Sequence, residues 1–199
     1  MNMFLVVHPS LPVKSVKELV ALARAQPGTL YYGSGGSGST PHMAMELFKS
    51  LAKVDLVHVP YKGTQSVIGI MRGETAMLFE NLISVGAHVQ SGKLRALAVG
   101  ATKRTAAMPE LPTVAEAGVP GYEMAAWFGV LAPAGTPRNV IGTLHKEMAN
   151  TVKQPEVRER FARLGAEPVG STPEEFDAFI KAEIAKWAKV VKEAGIKAD

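Results

Sequence analysis

Apolar residues along the first hundred positions come in short blocks separated by polar turns. Phe4-Leu5-Val6-Val7 is an unbroken apolar run, which predicts a buried strand. Apolar positions then recur at helical spacing through VKELVALARAQ, preceded by Ser15 with Glu18 three residues on, the pattern of a capping box. Pro27-Gly28 ends that helix, and TLYYGS predicts a second strand. Thr40 is the expected cap of the next helix, with Pro41 at its first position and HMAMELFKSLA as its body. LVHVPY, AMLFE and LRALAVG read as three further strands, and QSVIGIMRG and LISVGAHVQSG as the helices between them. Alternating strands and helices from Met3 to Gly100 predict an α/β fold: a mainly parallel sheet covered on both faces.

The pattern then changes. Residues 102–122 are irregular, with Pro109, Pro112, Pro120, Gly118 and Gly121, and TVAEAG is expected to form one or two helical turns. MAAWFGVLAP, with its apolar centre, predicts a long strand. Thr136-Pro137 opens a helix to about Lys153, and PEVRERFARLG predicts a second. GAEPVG is extended, and Thr172 with Glu175 is a further capping box opening a long helix closed by Gly195. This helical tail brings little sheet of its own and is expected to pack on something else.

Composition narrows the function. The 199 residues are 47% hydrophobic and 20% charged, material for one large domain or two small ones. No apolar run approaches the ~20 residues that cross a bilayer, so no membrane insertion is expected. MNMFLVVHPS has no basic start and no small-residue cleavage site, so it does not read as a secretory signal. The formal charge is +4, but cations and acids are interspersed, which predicts a solvated surface and no nucleic-acid partner. Without Cys there is no disulfide and no thiolate metal site. His8, His58, His88 and His145 show no metal-ligand spacing and are taken as structural or surface residues. No G-x-S-x-G elbow is present, and Glu74, Glu80 and Glu123 are separate acids, so neither an enzyme nor a cofactor is expected.

The candidate chemistry lies in YYGSGGSGSTPH. Gly33, Gly35 and Gly38 fit G-x-G-x-x-G between a strand and a helix, with Asp55 about 20 residues further on. A nucleotide-binding oxidoreductase domain is therefore the alternative reading. Against it, Asp55 precedes its strand rather than ending it, and a strand and helix already precede the loop. A phosphate loop of the Walker type would need a Lys where Ser39 stands. The favoured reading is an anion socket. Amides of His42 and Met43 are expected free at the helix start, and the glycines let an anion approach them. The hydroxyls of Ser34, Ser37, Ser39 and Thr40 would add donors beside Gly35 and Gly36. Tyr61-Lys62 and Glu80-Asn81 end two neighbouring strands, so the three loops are expected to converge on one edge. His42 fits a ligand donor and a first-turn packing residue alike; Asn81 fits a ligand contact and a helix cap alike. Trp127 and Phe128 fit a pocket wall or core packing, and Trp187 reads as packing.

Several long stretches, in order, resemble one family. HPSLPVKSVKELVALARAQPGTLYYGSGGSGSTPHMAMELFK, VDLVHVPYKGTQ, LFENL, GKLRALAVGATKR, LPTVAEAGVPGYE, WFGVLAPAGTP and the stretch from Glu156 to Lys197 are similar to the tripartite tricarboxylate transporter substrate-binding proteins, the Bug family of extracytoplasmic solute receptors. The resemblance implies a periplasmic receptor of type II periplasmic-binding-protein fold. It implies a small carboxylate (an organic acid, dicarboxylate or amino acid) held between two lobes and passed to membrane permease subunits. It further implies that residues 1–8 are a crossover strand from lobe one, 9–123 lobe two, 124–133 the return crossover, and 134–199 the helical C-terminal part of lobe one. On this reading the signal peptide and the first half of lobe one are missing, binding is impaired, and the uncovered tail is a candidate dimer contact. Glu80 departs from the Asp or small residue usual in the family, and Ala76 from a frequent Asp.

Overall fold

The computed structural model describes residues 1–196; the last three residues of the expected 134–199 segment lie outside the described residues. Five strands form one sheet in the order β3-β2-β4-β1-β5: β1 (Met3–Val7), β2 (Tyr31–Ser34), β3 (Val57–Pro60), β4 (Met77–Asn81) and β5 (Arg95–Val99). Strand β2 runs parallel to both β3 and β4, whereas β1 is antiparallel to β4 and to β5. The sheet is therefore mixed: β3, β2, β4 and β5 run one way and β1 runs against them. Strand β1 enters the sheet between β4 and β5 against their direction, and an apolar run buried on both faces carries no sign of its direction.

Alternation along β1 divides the core. Met3, Leu5 and Val7 point into one apolar layer with α1 (Val16–Ala25) and α2 (Thr40–Ala52). Phe4 and Val6 point into the other, with α3 (Gln65–Met71) and α4 (Leu82–Gln90). Both faces are covered, as the sequence pattern predicts. Tyr122 fills the centre of the first layer, donating its hydroxyl to the carbonyl of Ala44 at 3.0 Å and stacking on Phe79.

Beyond β5 the chain is held by turns; TVAEAG forms a turn rather than a regular helix. MAAWFGVLAP does not form the expected long strand. Its start pairs with the first residues of the chain through an isolated Asn2–Ala125 bridge and the amide of Ala126 on the carbonyl of Met1. Past that point no strand pairs with it among the described residues, and Phe128, Val130 and Leu131 are exposed. An extended segment with no neighbour has no ladder to define it.

The tail is α5 (Arg138–Lys153), α6 (Pro155–Arg163) and α7 (Pro173–Ala194). Thr172 and Glu175 form the expected capping box, and Gly195 closes α7 at φ 63°. Helix α7 packs along α2, and Val190 and Trp187 reach the first apolar layer. Trp127 meets Phe176 and Phe179 edge-on, and both indoles, Trp127 and Trp187, donate to one carboxylate oxygen of Glu183 at 3.0 and 2.9 Å. Val140, Leu144 and Met148 on α5 stay exposed.

Gly100 lies where three chain segments meet. Its amide donates to Met3 and its carbonyl accepts from Met124, and a Cβ there would sit 2.8 Å from the Met124 carbonyl oxygen. Gly100→Ala is therefore expected to destabilise by about 1–3 kcal/mol, through a backbone that cannot step aside. Gly142→Ala is the control: exposed within α5 and facing open space, it should stabilise by roughly 0.5–1 kcal/mol. Denaturant titrations of the two variants check both signs.

Candidate functional site

Strands β3, β2 and β4 run the same way, so their carboxyl ends share one sheet edge, and the three expected loops do leave it together. Two of them are tied to each other. The β2–β3 pairing continues past the strands, with the amide of Tyr61 on the carbonyl of Ser34 at 2.9 Å and that of Gly63 on Gly35 at 3.3 Å. A Cβ on Gly35 would stand 3.1 Å from the Gly63 carbonyl oxygen, so a side chain there would press the two loops apart by a few tenths of an ångström. Between them lies an open depression lined by Gly35, Gly36, Ser37, Pro60, Tyr61, Lys62 and Gln65.

The loop folds back on itself. Gly36 and Gly38 adopt φ of 122° and 71°, conformations that favour glycine. The carbonyl of Gly36 accepts the amide and the hydroxyl of Ser39 and the hydroxyl of Ser34, at 3.2, 2.7 and 3.1 Å. The hydroxyls of Ser34 and Ser39 are thus spent on the loop itself, whereas those of Ser37 and Thr40 have no partner among the described residues.

Helix α2 starts one residue earlier than expected. Ser39 is the N-cap, Thr40 the first helical residue and Pro41 the second. Met43 is then the fourth, and its amide already donates to the carbonyl of Ser39 at 2.9 Å. This corrects the expectation of a free Met43 amide. The amides of Gly35, Ser37, Thr40 and His42 take no partner among the described residues. The first turn of α2 carries no acidic side chain, so nothing on it offsets the positive end of the helix dipole.

Other candidates serve as supports in this structure. His42 is buried, and its Nδ1 accepts the amide of Gly38 at 3.0 Å. The Tyr61 hydroxyl donates to Glu74 at 2.9 Å, and the hydroxyl end of its ring lies so close to Gly69 that a Cβ there would be 2.4 Å from it. Asn81 caps α4, accepting the amide of Ser84 at 3.1 Å. Glu80 is buried beside it and accepts both the backbone and the side-chain nitrogen of Asn81, at 2.9 and 2.6 Å. Burial holds the Glu80 carboxyl above the usual carboxylate range, against those two hydrogen bonds. Glu80 and Asn81 share the edge but do not line the depression.

His58, read as merely structural or surface, stands directly behind the loop, its Nε2 2.6 Å from the Ser34 hydroxyl. The signal for it was the β2–β3 register, which sets His58 opposite Tyr32; a strand pattern alone does not contain that register.

The dinucleotide reading fails on geometry. Asp55 precedes β3 and lies against Gly28, at the opposite edge of the sheet from the glycine loop. Gly33 is inside β2, facing Thr75, Ser66 and Tyr61. No group of three or more metal-ligating side chains occurs among the described residues.

Residues 1–196 match the tripartite tricarboxylate transporter family receptor. The chain belongs to this family. The Bordetella pertussis protein BugT is 37% identical over 194 residues, covering 97% of this chain and 60% of that protein. A solved R. palustris structure, Rpa4515 with adipate, superposes with a TM-score of 0.89 at 40% identity, over 98% of this chain and 66% of the other. MatC from Rhodopseudomonas palustris with bound malate superposes with a TM-score of 0.82 at 28% identity, over 96% and 66%. The chain thus spans about three-fifths of the curated relative's length and two-thirds of each of these structures.

Two variants separate support from binding at the Glu80 loop. Asn81→Ala should cost about 0.5–2 kcal/mol of stability as a lost helix cap. Glu80→Gln keeps the acceptor for both Asn81 nitrogens but cannot ionise. Because the folded-state pKa of Glu80 is raised, its favourable contribution is full below the unfolded value and is lost as pH rises through the folded one. Glu80→Gln should therefore match the wild type in acid and exceed it in stability at pH 7, as read by denaturant midpoints across that range.

Proposed function

We propose that this chain is the greater part of a non-enzymatic periplasmic receptor that captures a small carboxylate at the glycine loop and delivers it to membrane permease subunits. The observation that carries this reading is the unpartnered amides: those of Gly35 and Ser37, which line the depression with Lys62, and those of Thr40 and His42 at the acid-free start of α2. Such a set is neutral overall and rich in donors, which suits an anion that must be held and then released. Adipate and malate in the two solved relatives are small dicarboxylates of the expected kind.

In the same reading, residues 9–123 form one lobe, 1–8 and 124–133 are the crossovers, and the helical tail belongs to the other lobe. The side-by-side placement of Asn2 and Ala125 and the exposed stripe of Val140, Leu144 and Met148 support it. A second copy of this chain is the alternative cover for that stripe.

A carboxylate at a helix start gains about 0.3–2 kcal/mol from the dipole, and each charge-assisted hydrogen bond adds roughly 1.5–3 kcal/mol. Micromolar affinity needs about 8 kcal/mol, so several amides must act together and a second lobe would add to them. Calorimetry with adipate, malate and NADH tests the reading. Saturable heat is expected with at least one dicarboxylate and none with NADH. Lys62→Met should weaken that binding by up to about fivefold, because an exposed charge contributes only about 0.2–1 kcal/mol. The absence of heat with both dicarboxylates, whatever NADH does, would overturn it.

A further inference from the structure

Two imidazoles lie face to face behind the glycine loop. His42 and His58 stack with ring centroids 3.9 Å apart and planes 8° apart, and His58 stacks in turn on Tyr32 at 4.9 Å. Each imidazole makes one bond towards the loop. Nδ1 of His42 accepts the amide of Gly38 at 3.0 Å, so its lone pair is committed and the proton of the neutral ring is on Nε2. The Ser34 hydroxyl donates to the Gly36 carbonyl at 3.1 Å and accepts the Gly36 amide at 3.2 Å. Its remaining lone pair faces Nε2 of His58 at 2.6 Å, which makes that nitrogen the donor. The two loop glycines with positive φ are thus each held by one imidazole: Gly38 directly, and Gly36 through Ser34.

The Gly38 bond requires a neutral His42, whereas a protonated His58 keeps its Nε2 donor to Ser34. An imidazolium carries hydrogen on both nitrogens, so a charged His42 has no acceptor left for Gly38. Two charged rings at stacking distance would also repel. The charged groups facing the stack come from α2: Glu46, which accepts the Tyr32 hydroxyl at 2.5 Å, and Lys49, paired to the same carboxylate at 2.6 Å. Glu46 acts to raise both rings and Lys49 to lower them.

We propose that His42 is a positioning residue forming a proton-sensitive latch: while it is neutral it holds Gly38, and its protonation lets that end of the glycine loop go, while His58 keeps Gly36 through Ser34 in either state. Burial, the largest cause for both rings, lowers both below the ordinary histidine value, His58 to about 4. The latch is therefore closed at neutral pH and opens in acid. Its use in releasing a carboxylate rests on the function proposed above; its effect on the loop does not.

The test needs no ligand. In nitrogen-labelled protein titrated from pH 7 to 4, the amide resonances of Gly36 and Gly38 are followed beside the imidazole protons. The Gly38 amide is expected to move with the midpoint of the His42 ring. In His42→Asn, whose side-chain carbonyl replaces Nδ1 without titrating, the Gly38 amide should stay flat. Should that variant not fold, His58→Gln, which keeps the donor to Ser34, should leave the Gly38 shift in place. A Gly38 amide that stays still while the wild-type His42 ring titrates, or that moves as much in His42→Asn, would overturn the latch. If adipate and malate give no heat with the wild type, the carboxylate reading fails while the amide shifts still decide the latch.

Discussion

The β2–β3 pairing that runs on beyond its own strands is the contact on which the rest of the site depends. Parallel strands end together, so β2 and β3 deliver their loops to one place, and two more backbone bonds join those loops. A side chain at Gly35 would push them apart. Glycine here serves approach of main chain to main chain. The positive φ at Gly36 and Gly38 then turns the loop back, so that Ser39 caps α2 and the next amides are left free.

Most of the architecture was legible in the apolar pattern because burial dictates it. Runs such as Phe4–Val7 and Met77–Phe79 are covered on both faces, and α1 and α2 show their buried stripes plainly. Direction was not legible. A doubly buried strand reads the same forwards and backwards, so the antiparallel entry of β1 was invisible. The stretch after Ala125 shows the opposite limit: apolar composition gives a strand only where another backbone lies alongside, and composition does not supply the neighbour.

The site was legible as a place and less so as a set of atoms. Sequence spacing put the glycine loop, Tyr61 and Asn81 on one edge. It could not say which of their polar atoms would be spent locally. Ser34, Ser39, His42, Tyr61 and Asn81 all turn out to be bonded to their own surroundings, since a tight loop must satisfy its groups before it can offer any. One residue of difference at the start of α2 moved the free amides from Met43 to Thr40, because the first intrahelical bond belongs to the fourth helical residue. Dinucleotide spacing around Asp55 was a coincidence of counting, exposed once the strand was seen to place it at the far edge.

The carboxylate of Glu183, shared by Trp127 and Trp187, bears on how this protein is observed. The chain has two tryptophans: Trp187 belongs to α7, and Trp127 on the returning chain packs against it. Intrinsic fluorescence is therefore a gauge of the seam between the returning chain and the tail. An emission change on adding a solute would signal that seam shifting, while a solute resting quietly among the glycines would leave the spectrum dark to its presence.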